Sequence, residues 1–455
     1  MKHVEDGSLV AGLRELVRGR VIGPEDESWD AERAAWHLLA DQRPVAVVHV
    51  ADADDIGVAV RFAGQHGVGV SAQPTGHGAT PATDGAILLR MGALTGLSVD
   101  LAAGTARVEA GARWRDLNQA LNGSGMSSLP GSNGDTTVVG YTLGGGLGWF
   151  GRKYGQAANL VRSFEIVDAD GEPRRVTAES DADLFWALRG GGGDFAIVVA
   201  MELALVPAPE IFGGRTMWPI QHAKELLRTF AEVTTTVPDE LTLWIWLLNF
   251  PDVPFVPEAM RGQWAVALDA VFLGPEDEAR KLLAPFEAVA APLMSGTAMI
   301  PLREIGLIAQ EPEEPVPGLL KTVLLSDFDA AAIDALLDAA VPGEPSPLFA
   351  FEVRHLGGAF ARADVSQGAA GTIDPPYLLL AGGFVAAPEM GAAVETALAG
   401  LHDKMKPWIR ERMVLNFATD EELASLFPSG AVERLAAIKH RVDPHNTIRS
   451  NHPVG

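Results

Sequence analysis

Six glycines crowd the stretch SNGDTTVVGYTLGGGLGWFGRKY, Ser132 to Tyr154: Gly140, Gly144, Gly145, Gly146, Gly148 and Gly151. Each costs a regular helix or strand backbone entropy, so such a density is expected where the chain closely approaches a ligand or another segment. A second loop, Gln73-Pro74-Thr75-Gly76-His77-Gly78, follows a strand-like run upstream. A pyrophosphate needs several backbone N–H donors aimed at one point, and glycine permits the required angles. Two such loops could wrap one dinucleotide from two sides, with the His77 imidazole at its reactive ring. Neither loop is a G-x-G-x-x-G fingerprint with an acidic residue at the ribose distance, and no G-x-x-x-x-G-K-[ST] occurs. Taken singly, each loop is equally readable as a tight turn in an α/β fold.

The surrounding elements must hold these loops. Pro44–Val50 and Ala86–Leu89 are apolar runs of strand length, and Val68–Ser71 leads into the first loop. Between them Asp52 is placed to cap a helix with Ile56, Ala59, Val60 and Ala63 on one face and Gly67 at its end. Leu97–Ala112 reads as a hairpin. A helix carrying Trp114, Leu117 and Leu121 precedes the glycine-rich stretch, and Asp170-Gly171 turns a second hairpin after it. Phe195–Leu205 is strand-like, and Pro207-Ala208-Pro209 marks a boundary.

Beyond it the pattern changes. Strands at Leu241–Leu248, Trp264–Phe272, Leu348–His355 and Tyr377–Phe384 alternate with helices at His222–Val233, Glu276–Val289, Asp329–Ala340 and Gly391–Met405. This predicts an α+β unit, one antiparallel sheet with helices on one face. In LFAFEVRH, Phe349, Phe351, Val353 and His355 point one way and Ala350, Glu352 and Arg354 the other. Trp244 and Trp246 share a strand face, best read as core packing. Glu311, Glu313 and Glu314 read as a solvated loop, and carboxylates without histidines at ligand spacing argue for no metal.

The 455 residues suffice for two or three domains, and 47% apolar against 21% charged residues describes a chain able to bury a core. A net charge of −24 with no basic patch argues against a nucleic-acid partner and disfavours an anionic membrane surface. The absence of cysteine removes disulfides, thiolate metal sites, iron–sulfur clusters and a thiol nucleophile. MKHVEDGSLVAGLRELVRGR is mixed-charge, unlike a signal peptide, and the apolar run Leu241–Phe250 is too short to span a bilayer. A cytoplasmic location is the default expectation.

Five ordered motifs carry a resemblance: P-T-G-H-G, V-V-G-Y-T-L-G-G-G-L-G-W, R-K-Y-G-x-A-x-N, D-L-F-W-A-L-R-G-G-G-G-D-F and D-P-x-N-x-x-R-x-N-H-P. The chain resembles the FAD-linked oxidases of the vanillyl-alcohol oxidase (PCMH-type) superfamily, berberine-bridge-enzyme-like branch. The resemblance implies a two-part FAD-binding domain, residues 1–205 completed by 406–455, around an α+β substrate domain, 206–405. It implies FAD bonded to a ring nitrogen of His77 and a pyrophosphate cradled by Gln73, Pro74, Thr75, Gly76, His77 and Gly78. Gly140, Gly144, Gly145, Gly146 and Gly148 would close over the cofactor with Tyr141 packed against it. Ile197 would meet the flavin ring through its main chain, and Asn416 and Asn451 would lie near it.

The departures matter as much. Asn133 stands where many relatives carry a second flavin-linking cysteine. Gln73 replaces an arginine, and Asp194-Phe195-Ala196 replaces Asn-Phe-Gly. Val414 and Leu147 stand where two active-site tyrosines are usual. With those phenols absent, the resemblance directs the search for a base to the strand before Gly357-Gly358. Glu352 matches a catalytic carboxylate or amide position there, flanked by Arg354 and with His355 as rival. An apolar ring beside Glu352 would raise its pKa. The competing reading of Glu352 and Arg354 is an exposed neighbour pair. The expected activity is hydride transfer from a C–H next to O or N of a small organic substrate (alcohol, sugar or secondary metabolite) to flavin N5, with O2 giving H2O2. The alternatives are a cyclase of secondary metabolism with a structural or transiently reduced flavin, and a non-catalytic FAD-fold binding protein.

Overall fold

The computed structural model describes residues 6–251, 258–341, 346–364 and 367–455. The first five residues of the N-terminal stretch fall outside the described residues; helix Asp6–Leu16 follows them.

The first glycine loop leaves the edge of a four-stranded sheet ordered Arg20–Ile22, Ala46–His49, Ala86–Arg90, Gly69–Ala72. The last three strands run parallel, and helix Ala53–His66 makes the crossover that parallel pairing demands. That helix starts where predicted, with the Asp52 carboxylate accepting from the N–H groups of Asp54 and Asp55. It stops at Gly67 in the left-handed region, φ 67°. A five-stranded antiparallel sheet follows, ordered Leu97–Asp100, Thr105–Glu109, Ile197–Ala204, Val161–Val167, Pro173–Val176. Both predicted hairpins form its edges.

The long strands after residue 207 build one antiparallel sheet, nine-stranded among the described residues. Its centre is Phe212–Pro219, Trp264–Phe272, Leu241–Asn249, Ala350–His355, Tyr377–Phe384 and Gly318–Leu325. The strands alternate as a half-covered sheet should. Leu241, Leu243, Ile245, Leu247, Phe351 and Val353 pack under helices Ala223–Val233, Glu276–Val289, Ala330–Ala340 and Pro388–Met405. Trp244, Trp246 and Ala350 point the other way, into the core that continues from the first two sheets. The sheet therefore presents a helix-free face to the glycine loops. Among the described residues no helix is long and apolar enough to cross a membrane.

Candidate active site

The first loop is shaped by its contact with an earlier segment. Gly76 has φ 90°, and a Cβ there would stand 2.9 Å from Ala35 Cβ. Trp36 N donates to Thr75 O at 3.0 Å and His37 N to Gly76 O at 3.2 Å. The Trp36 indole stacks on the His77 imidazole, centroids 4.2 Å apart and planes 15° apart. His77 Nδ1 lies 2.9 Å from Thr75 Oγ1, while its buried Nε2 has no hydrogen-bond partner among the described residues. Burial pushes the His77 pKa down to about 4, so the ring is neutral at pH 7. Gln73 is buried, and neither atom of its side-chain amide has a hydrogen-bond partner among the described residues. Pro74 and Thr75 are half-buried, whereas Gly78 is exposed with no protein atom within 4 Å of a Cβ position.

The second loop is explained largely by the chain itself. Helix Val138–Leu143 carries Gly140 and Tyr141 and ends at Gly144; Gly145 and Gly146 follow at φ 107° and 83°. Asn416 is fitted against this bend. Its Oδ1 accepts from Gly146 N at 2.7 Å, its Nδ2 donates to Tyr141 O at 2.9 Å, and a Cβ on Gly144 would stand 2.6 Å from Nδ2. A Cβ on Gly148 would collide with the Pro130 carbonyl, and one on Gly151 with the Phe360 ring. Much of the glycine density thus reflects chain-on-chain packing.

The sheet face opposite these loops holds a buried set of charges. Glu352 is fully buried and Arg354 nearly so, which rules out the exposed-pair reading. Arg354 Nε donates to Glu352 Oε1 at 2.8 Å, Nη2 donates to Glu311 Oε1 at 3.3 Å, and the guanidinium lies 3.9 Å from the Trp244 ring centroid. Glu311 is therefore a buttress of this cluster and not a purely solvated residue; Glu313 and Glu314 are exposed, as expected. Burial first, then the nearby Glu311 and Asp269 charges, raise the Glu352 pKa to about 8 against the pull of Arg354. Glu352 Oε2 has no partner among the described residues. Beside it Arg215 grips Asp269 through two bonds, 2.6 and 2.7 Å, and Trp246 Nε1 donates to the same carboxylate at 2.8 Å. Sequence reasoning missed Arg215 and Asp269. Their one signal was a charge at an inward position of each strand, visible only once the pairing register puts Arg215 opposite Asp269.

His355 points to the other side of its strand. Its Nε2 accepts from Arg152 Nη1 at 2.8 Å, and burial together with the Arg152 charge holds it neutral. Arg152 also donates to the carbonyls of Leu241 and Leu356, so it pins the second loop to the sheet. Leu147 and Val414, the two positions without the usual tyrosines, lie in one apolar cluster with Leu356, Phe360, Leu378 and Leu380. Trp149 stacks on Trp244, centroids 3.6 Å apart. Asn133 is buried and donates to Pro312 O.

The C-terminal segment is tied back by a buried ion pair. Lys439 Nζ donates to Asp443 Oδ2 at 2.8 Å and to Asp194 O at 2.7 Å, and the Asp194 carboxylate accepts from Ser450 N and Val454 N. This places Asn451, which accepts from Thr80 N and Thr80 Oγ1 just beyond the first loop. Ile197 opens the strand beginning beside Asp194 and is fully buried.

Buried polar atoms without protein partners recur on both loops and the tail: the Gln73 amide, His77 Nε2, Tyr141 OH, Thr142 Oγ1 and Ser450 Oγ. Such atoms are costly unless a polar ligand completes them, so these residues fit a dinucleotide. Residues 44–177 match the family model described as an FAD binding domain. The chain carries an FAD binding domain. Along almost its whole length it is similar to (R)-6-hydroxynicotine oxidase of Paenarthrobacter nicotinovorans: 24% identity, covering 96% of this chain and 97% of the relative. It is similar to the glucooligosaccharide oxidase of Sarocladium strictum at 33% identity, over 48% of this chain and 46% of that one. Its fold matches a berberine-bridge-enzyme-like protein of Physcomitrella patens with a TM-score of 0.83, 19% identity and 99% of both chains covered. Over its whole length the fold is thus that of the matched structure.

Proposed function

We propose that this flavoprotein is an oxidase that removes a hydride from a C–H next to O or N of a small organic molecule, with Glu352 as the base and FAD joined covalently to His77. Gln73 to Gly78 would hold the pyrophosphate, with Gly140, Gly144 to Gly146 and Gly148 opposite. Tyr141, Ile197, Asn416 and Asn451 would border the ring system. The chemistry a bound FAD supplies is acceptance of the hydride at N5, with dioxygen as final acceptor giving hydrogen peroxide. The observation that carries this reading is Glu352: fully buried, held by Arg354 through one oxygen, its other oxygen without a partner. Oε2 is the atom that would take the O–H or N–H proton of the substrate. His355, committed to Arg152 on the far side of the strand, is read as a structural group. Both arginines of the cluster are engaged by carboxylates, so the cluster suits neutral or cationic substrates.

Acid precipitation of purified protein tests the cofactor. A yellow pellet from the wild type and a colourless one from His77→Ala support a histidyl flavin. A colourless wild-type pellet from yellow protein limits the binding to non-covalent, and protein that takes up no FAD refutes the proposal. The apolar surroundings of Leu147 and Val414 favour one second reading, a flavin-containing cyclase. It is distinguished by turnover without peroxide.

A further inference from the structure

We propose that Glu311 is a positioning residue for the base: it takes one arm of the Arg354 guanidinium and so leaves Glu352 Oε2 free to meet a substrate. This rests on the reading of Glu352 given above. The helix-free sheet face carries two arginine–carboxylate pairs, and they differ in one respect. Arg215 presents Nε and Nη2 to Asp269 and closes on both oxygens, at 2.6 and 2.7 Å. Such two-point pairing is the frequent geometry of a guanidinium against a carboxylate. Arg354 presents the same two nitrogens, but only Nε goes to Glu352, at 2.8 Å, while Nη2 donates to Glu311 Oε1 at 3.3 Å. The two pairs lie in one row of the sheet: Arg215 is opposite Asp269, Asp269 opposite Trp244 and Trp244 opposite Arg354. What divides the second fork is the additional carboxylate.

Glu311 comes from outside the row, on the segment that precedes strand Gly318–Leu325. That segment is tied down at the next two residues. Asn133 Nδ2 donates to Pro312 O at 3.0 Å, and Trp36 Nε1 donates to Glu313 O at 3.0 Å. Three consecutive residues thus reach the base cluster, the second glycine-rich stretch and the tryptophan stacked on His77. The Glu311 carboxylate is therefore a held group and not a loop side chain free to drift. The charged groups facing Glu352 are Arg354 on its own strand, Arg215 and Asp269 on strands Phe212–Pro219 and Trp264–Phe272, and Glu311; Tyr141, on helix Val138–Leu143, is buried and stays neutral. Glu311 acts on Glu352 twice in the same direction. Its charge opposes ionisation of Glu352, and its hold on Nη2 withholds half of the fork that would favour it. A carboxylate spared tight pairing keeps its proton longer and, once ionised, takes one more readily.

The test follows the proton on Glu352 directly and needs no substrate. Infrared difference spectra of the flavin-loaded protein across pH track the C=O band of the protonated carboxyl, assigned by its absence in Glu352→Gln. In the wild type it should titrate near 8. In Glu311→Ala and Glu311→Gln the midpoint should fall by about one pH unit, the effect of a closer guanidinium on a carboxylate. The Glu311 side chain is 24% exposed, so both variants should fold. Glu311→Asp keeps the charge and should keep most of the wild-type midpoint. Glu313→Gln removes an exposed charge two residues on and should leave it unmoved. The crystal structure of Glu311→Ala should show Arg354 Nη2 on Glu352 Oε2, the geometry Arg215 already has with Asp269. Urea unfolding gives an independent reading: stability should stop falling with rising pH about one unit earlier in Glu311→Ala than in wild type. An unmoved midpoint in both Glu311→Ala and Glu311→Gln, or an equal fall in Glu313→Gln, overturns the proposal and leaves Glu352 as the base. A wild type with no titrating band that Glu352→Gln abolishes removes the reading of Glu352, and this inference with it.

Discussion

Glu352 couples catalysis and stability to the same proton, and the two respond to pH in opposite directions. Its pKa rises from 4.5 to about 8 in the folded protein, chiefly through burial. By this value about one molecule in ten has Glu352 ionised at pH 7 and about nine in ten at pH 9. If Oε2 takes the substrate proton, flavin reduction should speed up about tenfold over that interval. Stability should move the other way. Between 4.5 and about 8 the folded chain keeps a proton that the unfolded chain has lost, so stability is full below 4.5 and falls as pH rises through 8. The whole shift corresponds to at most about 5 kcal/mol. Glu352→Gln removes the proton equilibrium. It should reduce the rate of flavin bleaching about 10²- to 10⁴-fold and flatten that rate against pH. Over the same range it should also flatten the denaturant midpoint. The assays are anaerobic stopped-flow reduction from pH 6 to 9.5 and urea unfolding of the flavin-loaded protein at the same values. A variant that reduces its flavin within threefold of wild type, or a wild-type rate that does not rise toward pH 9, would remove Glu352 as the base.

Three further outcomes are expected. Gly148→Ala and Gly78→Ala should differ in kind: the first collides with Pro130 O and should leave the protein insoluble, while the second meets no protein atom and should fold normally but retain less FAD, read by thermal melting and the flavin-to-protein absorbance ratio. Asp269→Asn removes the carboxylate charge that pairs with the buried Arg215, so it should cost about 3–5 kcal/mol by urea unfolding. Asp194→Ala removes the carboxylate that accepts from Ser450 and Val454 and takes one of two carboxylates from beside Lys439, leaving it Asp443 and the carbonyls of residue 194 and Ile448, so limited proteolysis should cut the last residues faster than in wild type, and unchanged cutting would show that the tail is held elsewhere.

The sequence by itself determined the local elements and the cofactor class. Caps such as Asp52 and Gly67, the Asp170-Gly171 turn and the side-to-side alternation of Ala350–His355 are written in neighbouring residues, because the hydrogen bonds and side-chain periods involved span only a few positions; the expected alternation of Leu348 and Phe349 fails, since Leu348 packs with Phe351 and Phe349 with Ala350. The two glycine loops were legible for the same reason. What occupies the space beside each glycine was not: Asn416 against Gly144, Ala35 against Gly76 and Pro130 O against Gly148 come from distant parts of the chain. The charge state of the site was likewise decided only by tertiary structure. Glu352 beside Arg354 reads equally well as a solvated pair or a buried one, and the difference is whether the sheet face is covered. Strand register and the stacking of Trp149 on Trp244 cover it and bring Glu311, Asp269 and Arg215 within range, while His355 falls on the opposite side against Arg152. A pKa depends on every charge and apolar wall within a few ångströms, and those neighbours are gathered by the fold from residues far apart in the chain.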